Sequence, residues 1–314
     1  MDRPEGLPEP GLYADVPFRD YLAWPAASNS GLGIILKRTP SHYKEDREGR
    51  GKPQTDAKLI GKATHALVLE PSMFGENYRA AGICNFVTEE NKPCQSQGKF
   101  LLYDGRSACG THVKQVKPSK VMRDVQVLTL KQAKVVNGGS EAVQRHQSAN
   151  ELLTSEGPTE VAIVWRDPVT GVWCKGRLDK LSLEFSSIVD YKTAEDASDE
   201  PFQRSVYKYG YHRQGAFYLR ATDSLGLGIN EYVLIAQEKS PPYAVATYGY
   251  PRTGGTMQAG DDYIEPLLRI YARCGESGEW PGYSERVEEG HLPHYAWAQM
   301  DEELERLNEE ARKS

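Results

Sequence analysis

Asp190 and Lys192 stand two apart in Ile188-Val189-Asp190-Tyr191-Lys192-Thr193, and Asp179 lies eleven residues before Asp190. Side chains two apart on a strand share a face, so an extended run projects Asp190 and Lys192 together. Cys174 to Leu183 mixes apolar and charged residues in rough alternation, the pattern of a half-buried strand. Ser186 to Tyr191 reads as a second, shorter one. A hairpin of the two brings Asp179 to the same patch. Two carboxylates and an ammonium converging on a sheet edge call for a compensating cation. Hard oxygen ligands suit Mg²⁺, which keeps several waters and so leaves positions for a phosphate. The lysine can then orient or deprotonate an attacking water, or stabilise charge developing on phosphate. The plainer reading of Asp-x-Lys is an exposed ion pair, and the neighbouring motifs decide between the two.

Several elements must position these residues. Ser28 or Ser30 can cap a helix starting near Gly31, and Pro40 stops it. Glu45 to Asp56 is polar and Gly-rich, a loop. Lys58 to Glu70 is a strong helix, with Leu59, Ala63, Ala66, Leu67 and Leu69 on its apolar side and Pro71 as its end. It carries His65, a packed core residue unless the helix lies against the sheet, where it becomes a ligand candidate. Val125 to Val136 is predicted helical, Asn137-Gly138-Gly139 breaks it, and Ser140 caps a further helix to Thr154. Glu160 opens a clean strand ending at Arg166, and a turn leads from there into the strand with Asp179. Phe202 to Ser224 reads as one helix, on which Gln214 and Tyr218 share a face. Glu231–Gln237 and Ala244–Tyr250 are two more strands, Asp261–Ala272 a helix, and Asp301–Ser314 a frayed acidic helix.

The chain has 314 residues, enough for one elaborated domain, with 26% charged and 39% apolar residues, an ordinary globular balance. No apolar run approaches the ~20 residues of a membrane span, and the acidic, Pro-rich N-terminus is unlike a signal peptide. The expected location is therefore the cytoplasm. Five cysteines at irregular spacing suit reduced thiols. Cys84, Cys94, Cys109 and His112 follow at ten, fifteen and three residues, which matches no recognised zinc spacing, so no structural metal is expected there. The net charge of −6 argues against nucleic acid, but its distribution does not. Lys92–Arg145 holds ten Lys/Arg against three Asp/Glu, and a locally basic face is enough to hold phosphates.

These parts together resemble the RecE type of phage and prophage exonuclease (exodeoxyribonuclease VIII-like), in the RecB-like branch of the PD-(D/E)XK nucleases. The resemblance covers roughly residues 12–297. It is carried by Ser28-Asn29-Ser30-Gly31-Leu32 with Pro40-Ser41-His42-Tyr43, by Gly61-Lys62-Ala63-Thr64-His65, and by Glu160. It continues through Gly176-Arg177-Leu178-Asp179-Lys180, Val189-Asp190-Tyr191-Lys192-Thr193, Gln214 to Tyr218 as a QxxxY motif, and Glu279-Trp280-Pro281.

The resemblance implies an α/β fold with a mixed central sheet flanked by helices. Residues 1–11 would be a flexible lead, 80–146 an insertion-like basic region, and 298–314 an acidic tail. It implies His65, Asp179, Asp190 and the Tyr191 carbonyl as ligands to Mg²⁺, with Mn²⁺ as substitute, and Lys192 as the catalytic lysine. Glu160 would position metal or water, and Gln214 and Tyr218 would support the site. Relatives with an iron–sulfur cluster need three cysteines after the QxxxY helix. Only Cys274 lies there, so no cluster is expected. The implied activity is 5′→3′ degradation of linear double-stranded DNA in a bacterial host cell, leaving a 3′ strand for a RecT-like annealing protein, with a ring tetramer as the assembly. An endonuclease, a single-strand-specific nuclease and an inactive DNA-binding protein remain the alternatives.

Overall fold

The computed structural model describes residues 2–49 and 55–312. Of the loop expected over Glu45–Asp56, residues 50–54 lie outside the described residues, and a short helix runs on to Arg47. Residues 281–314 form a unit of their own, an irregular stretch followed by the helix His294–Ala311. Trp297 lies on that helix.

The first unit is built on a six-stranded sheet whose spatial order is also its chain order. Its strands are β1 (Gly11–Tyr13), β2 (Thr159–Arg166), β3 (Trp173–Ser182), β4 (Ser187–Ala194), β5 (Glu231–Glu238) and β6 (Val245–Pro251). Neighbours pair antiparallel except β4 and β5, which are parallel. That pair needs a crossover, and two helices supply it. The sheet is therefore mixed, as expected. The N-terminal lead is less free than its composition suggested. Leu7 is buried beside Ala26 and Val164, and β1 pairs with β2.

Strand periodicity sorts the core into two layers. On one face Ile188, Tyr232 and Leu234 pack with Leu32 and Ile35 of α1 (Asn29–Lys37), which Ser28 caps as expected. On the other, Val189, Tyr191, Val233 and Ile235 pack with Val143 of α3 (Leu130–Arg145) and Ala149 of α4 (Gln147–Thr154). Between them in sequence, α2 (Asp56–Leu69) carries His65, and its Ala63 packs with Leu128 and Val136. Residues with alternating sides on β4 and β5 are thus buried on both, the mark of a sheet sandwiched between helices. Two buried lysines of β3 sew outlying backbone onto the sheet. Lys175 Nζ donates to the carbonyls of Tyr21, Leu22 and Trp24 at 2.8, 3.0 and 2.7 Å, and Lys180 Nζ to Ser155 and Gly157 at 2.6 and 2.7 Å.

Three helical stretches differ from the sequence reading. Residues 126–129 are a strand, and α3 then runs unbroken through Asn137-Gly138-Gly139. Those glycines are close-approach positions. A Cβ on Gly138 would meet the Tyr243 ring at 2.4 Å, and one on Gly139 the Gln237 side chain at 2.8 Å. Conversely, the single helix expected over Phe202–Ser224 is two, α5 (Asp199–Tyr209) and α6 (Tyr211–Ser224). Gly210 separates them with φ 78°, a left-handed conformation that ends the first helix. Likewise, the last core helix, α7 (Ile264–Ser277), starts later than the spacing predicted, after a separate short helix, Gly255–Asp261.

Gly215 sets how closely α6 approaches β5, because a Cβ there would lie 2.4 Å from the fully buried Tyr232 ring. Helix propensity favours Gly215→Ala by ~1 kcal/mol, whereas overpacking costs ~1–3 kcal/mol. The expected outcome is a lower urea midpoint with an unchanged slope. A raised midpoint would show that α6 can retreat freely.

Candidate metal and phosphate site

The pairing of β3 with β4 runs only from Ser182↔Ser187 to Lys180↔Val189. Beyond that point the strands diverge, and Asp179 and Asp190 are the first residues past the fork. The Tyr191 N–H, with no β3 carbonyl to meet, donates to Asp179 Oδ2 at 2.9 Å. The N–H and C=O of one strand residue face the same neighbour, so the Tyr191 carbonyl faces the same gap. On the other side of β3, the ladder with β2 skips the pair Glu160–Asp179, and Glu160 has φ 48°. This left-handed conformation is uncommon for a residue with a Cβ. It turns the carboxylate out of the strand pattern.

His65 reaches in from α2. Its Nε2 lies 3.1 Å from Asp179 Oδ2 and its Nδ1 3.4 Å from Glu160 Oε1. One donor atom from each of His65, Glu160 and Asp179 falls within 4.8 Å of the others. Asp190 is fully buried beside this group. Gln214 Nε2 donates to its Oδ1 at 2.7 Å, and its Oδ2 forms an ion pair with Lys192 Nζ. The Lys192 ammonium also lies over the Tyr211 ring, 5.0 Å from its centre. Tyr218 stands further back, its hydroxyl 3.5 Å from Gln214 Nε2 and its ring against Gly176.

The fork thus brings His65, Glu160, Asp179, Asp190, Lys192 and Gln214 together, with Tyr218 behind Gln214. Glu160 stands within the donor group rather than beside it. Asp190 adjoins that group through its buried carboxylate. Sequence reasoning passed over two groups. Arg177 donates to Glu160 Oε2 at 2.6 Å and to the Val16 carbonyl at 2.8 Å. Its place two residues before Asp179, on the same strand face, was a usable signal. Tyr211 had no such signal, since only the break at Gly210 sets its ring beside Lys192.

Charge explains how these groups coexist. Burial alone would lower the His65 pKa, but Asp179 and then Glu160 outweigh it and raise it to about 9. Burial works against ionised Asp179 too, yet His65 brings its carboxyl below the usual range. Burial and then Asp179 raise Asp190 to about 6, against the pull of Lys192. Lys192 stays protonated above its ordinary range, because Asp190 and Asp179 outweigh its burial.

Converging carboxylate and imidazole donors, with the buried Asp190 carboxylate beside them, suit a hard divalent cation. The group opens into a cavity of about 550 Å³ lined by Lys62, Glu70, Arg177, Lys192 and Tyr211 among others. A hollow of about 650 Å³ lies elsewhere, at Asp167, Arg220, Asp223, Arg252 and Asp261. Its arginines are already engaged, Arg220 pairing with Asp167 and Asp261, and Arg252 with Asp223. It therefore offers no free arginine to hold a phosphate.

A metal needs the neutral imidazole, so it must displace the proton that His65 holds below about pH 9. Metal affinity should rise with pH up to that value. At pH 7.5, uptake should release about one proton per cation, read by calorimetry in buffers of differing ionisation enthalpy. Zero release by the wild type would remove His65 from the ligand set.

Similar proteins agree with this architecture. A candidate exonuclease from Eubacterium rectale has a similar structure, with TM-score 0.52, 13% identity, and coverage of 85% of this chain and 90% of that one. At that identity the likeness speaks for the fold alone. A second structure, SSO0001, covers 44% of this chain and 60% of its own at 16% identity and TM-score 0.28, too low to carry an argument. No curated protein matches the sequence. Residues 28–292, which include the whole fork and its helices, match the PDDEXK-like domain of unknown function DUF3799, and the chain belongs to that family.

Proposed function

We propose that this protein is a metal-dependent deoxyribonuclease of the RecE type, degrading linear duplex DNA 5′→3′ and leaving a 3′ single strand. The observation that carries a nuclease reading is the fork, where a hard-donor group of His65, Glu160 and Asp179 adjoins the Asp190–Lys192 pair. The finer reading, with its DNA-end substrate, RecT-like annealing partner and ring tetramer, rests on the sequence motifs.

Hydrolysis requires water to attack phosphorus while the P–O bond to the leaving strand breaks. A bound Mg²⁺, or Mn²⁺ in its place, would be held by His65, Glu160, Asp179, Asp190 Oδ2 and the Tyr191 carbonyl, and would supply charge at the phosphate. Lys192, protonated and fixed by Asp190, is the stabiliser of charge developing on the phosphate oxygens. Gln214 holds Asp190 by Oδ1, and Oδ2, paired with Lys192, would share its remaining lone pair with the cation. Arg177 clamps Glu160 from behind. The exposed Lys114, Lys117 and Lys120 belong to the basic segment and suit duplex phosphates away from the scissile bond.

End-labelled linear, nicked and covalently closed circular DNA with Mg²⁺ test the reading together with a Lys192 variant. The expected result is shortening of linear duplex from 5′ ends with closed circles spared. Opened closed circles would mean an endonuclease, and binding without cleavage an inactive protein. Lys192→Ala should retain duplex binding and lose ~10²–10³-fold in rate. Lys192→Arg should not restore it, since a planar fork does not replace a compact ammonium. Wild-type turnover by Lys192→Ala would reduce the pair to a structural salt bridge.

A further inference from the structure

The stretch between Ala81 and Gln126, within the first unit, begins at one strand and ends at another. Tyr78–Ala81 and Gln126–Thr129 pair in parallel at its root. Within it the regular structure is slight, a two-residue ladder of Phe100–Leu101 with Ser107–Ala108 and the isolated bridges Ile83↔Gln97, Val87↔Pro93 and Leu102↔Val121. Its apolar interior is slight too. The buried cluster at its centre is Cys84, Cys94 and Cys109, with Phe86 packed on it. Segments of about 40 residues with so little core usually need a disulfide or a metal to hold them. All five cysteines are free thiols.

The side chains of Cys84, Cys94, Cys109 and His112 are all buried, and one donor atom from each lies within 4.8 Å of the others. His112 Nδ1 is 3.3 Å from the Sγ of both Cys84 and Cys109. Donors at ~2.3 Å (sulfur) and ~2.0 Å (nitrogen) from a tetrahedral ion are separated by roughly 3.5–3.8 Å. A disulfide would need sulfurs at ~2.05 Å. The Cys109 N–H approaches Cys84 Sγ at 3.4 Å, a donor that favours a thiolate. The His112 ring is stacked on Phe86, centres 5.6 Å apart and planes 13° from parallel, which fixes its direction.

Sequence spacing argued against a metal here, yet the fold brings the four donors together. Cys84 and Cys94 sit on the two sides of one ribbon, where Cys84 N–H bonds Ser96 O and Cys94 N–H bonds Phe86 O. Cys109 follows the ladder strand Ser107–Ala108, and His112 opens a 3₁₀ turn three residues later. The ribbon length, not a short repeat, sets the interval of ten.

We infer that Cys84, Cys94, Cys109 and His112 bind one structural Zn²⁺, which staples this lobe. Three thiolates and an imidazole make a closed, soft donor set with no carboxylate. It selects zinc over the hard cation suited to the fork, so the two centres sort by ligand chemistry. Exposed Lys114 lies on the turn that begins at His112, so the ion also fixes where part of the basic surface stands.

The full chain, expressed with zinc in the medium and purified reduced without chelator, is assayed for metal by mass spectrometry. About one zinc per chain is expected, set free by a mercurial that titrates the thiols. Cys109→Ser and His112→Ala should each fall below about a tenth of that content, while Asp179→Asn keeps it. Should the variants prove insoluble, wild-type protein refolded with Co²⁺ decides, a tetrahedral thiolate spectrum being the expected result. Wild type without zinc and without that spectrum overturns the site. Iron with sulfide absorption overturns the choice of metal, and zinc retained by both variants overturns the ligands.

Discussion

Glu160, Asp179 and Asp190 place three carboxylates around one fork between strands. Like charges 4 Å apart repel by ~4 kcal/mol at an effective dielectric near 20, so such a cluster persists only with cations interleaved. His65 stands between Glu160 and Asp179, Lys192 beside Asp190, and Arg177 behind Glu160. Much of the fold answers to this need. The α2 helix must lie along the sheet to deliver His65, and α6 must approach closely enough for Gln214 to reach Asp190. Helices pack on both faces of β4, beside the fork.

How much of this the sequence discloses depends on whether a residue's role is settled locally. Alternation makes β3 and β4 legible, and period two by itself puts Asp190 and Lys192 on one face. The Ser28 cap is local as well. Glycine is not. At Gly138 and Gly139 the reading of a break fails because Tyr243 and Gln237, about a hundred residues away, require bare backbone. At Gly210 the reading of continuity fails because the next helix must start in a new direction. The side chain says only that backbone freedom is available, and tertiary partners decide how it is used.

The same limit governs the site. His65 was legible as a residue, but its role depended on where α2 lay. Arg177 could have been found from its strand position, whereas Tyr211 became visible only once the turn at Gly210 was known. For Cys84, Cys94, Cys109 and His112, the separations along the chain record the path of a ribbon rather than the distances between donors. Counting intervals works where ligands come in tight pairs and fails where a hairpin separates them.

The backbone at Glu160 has a consequence for how this position varies. A non-glycine residue held left-handed costs about 1–3 kcal/mol, and glycine or asparagine would relieve much of it. Neither brings a carboxylate to His65 and Arg177. Random substitution screened for stability alone would favour the relaxed residues, while selection for the fork's chemistry would hold glutamate in place. Position 160 is thus one where thermostability and activity pull in opposite directions, and a stabilised lineage that lost its glutamate would be expected to have lost its chemistry with it.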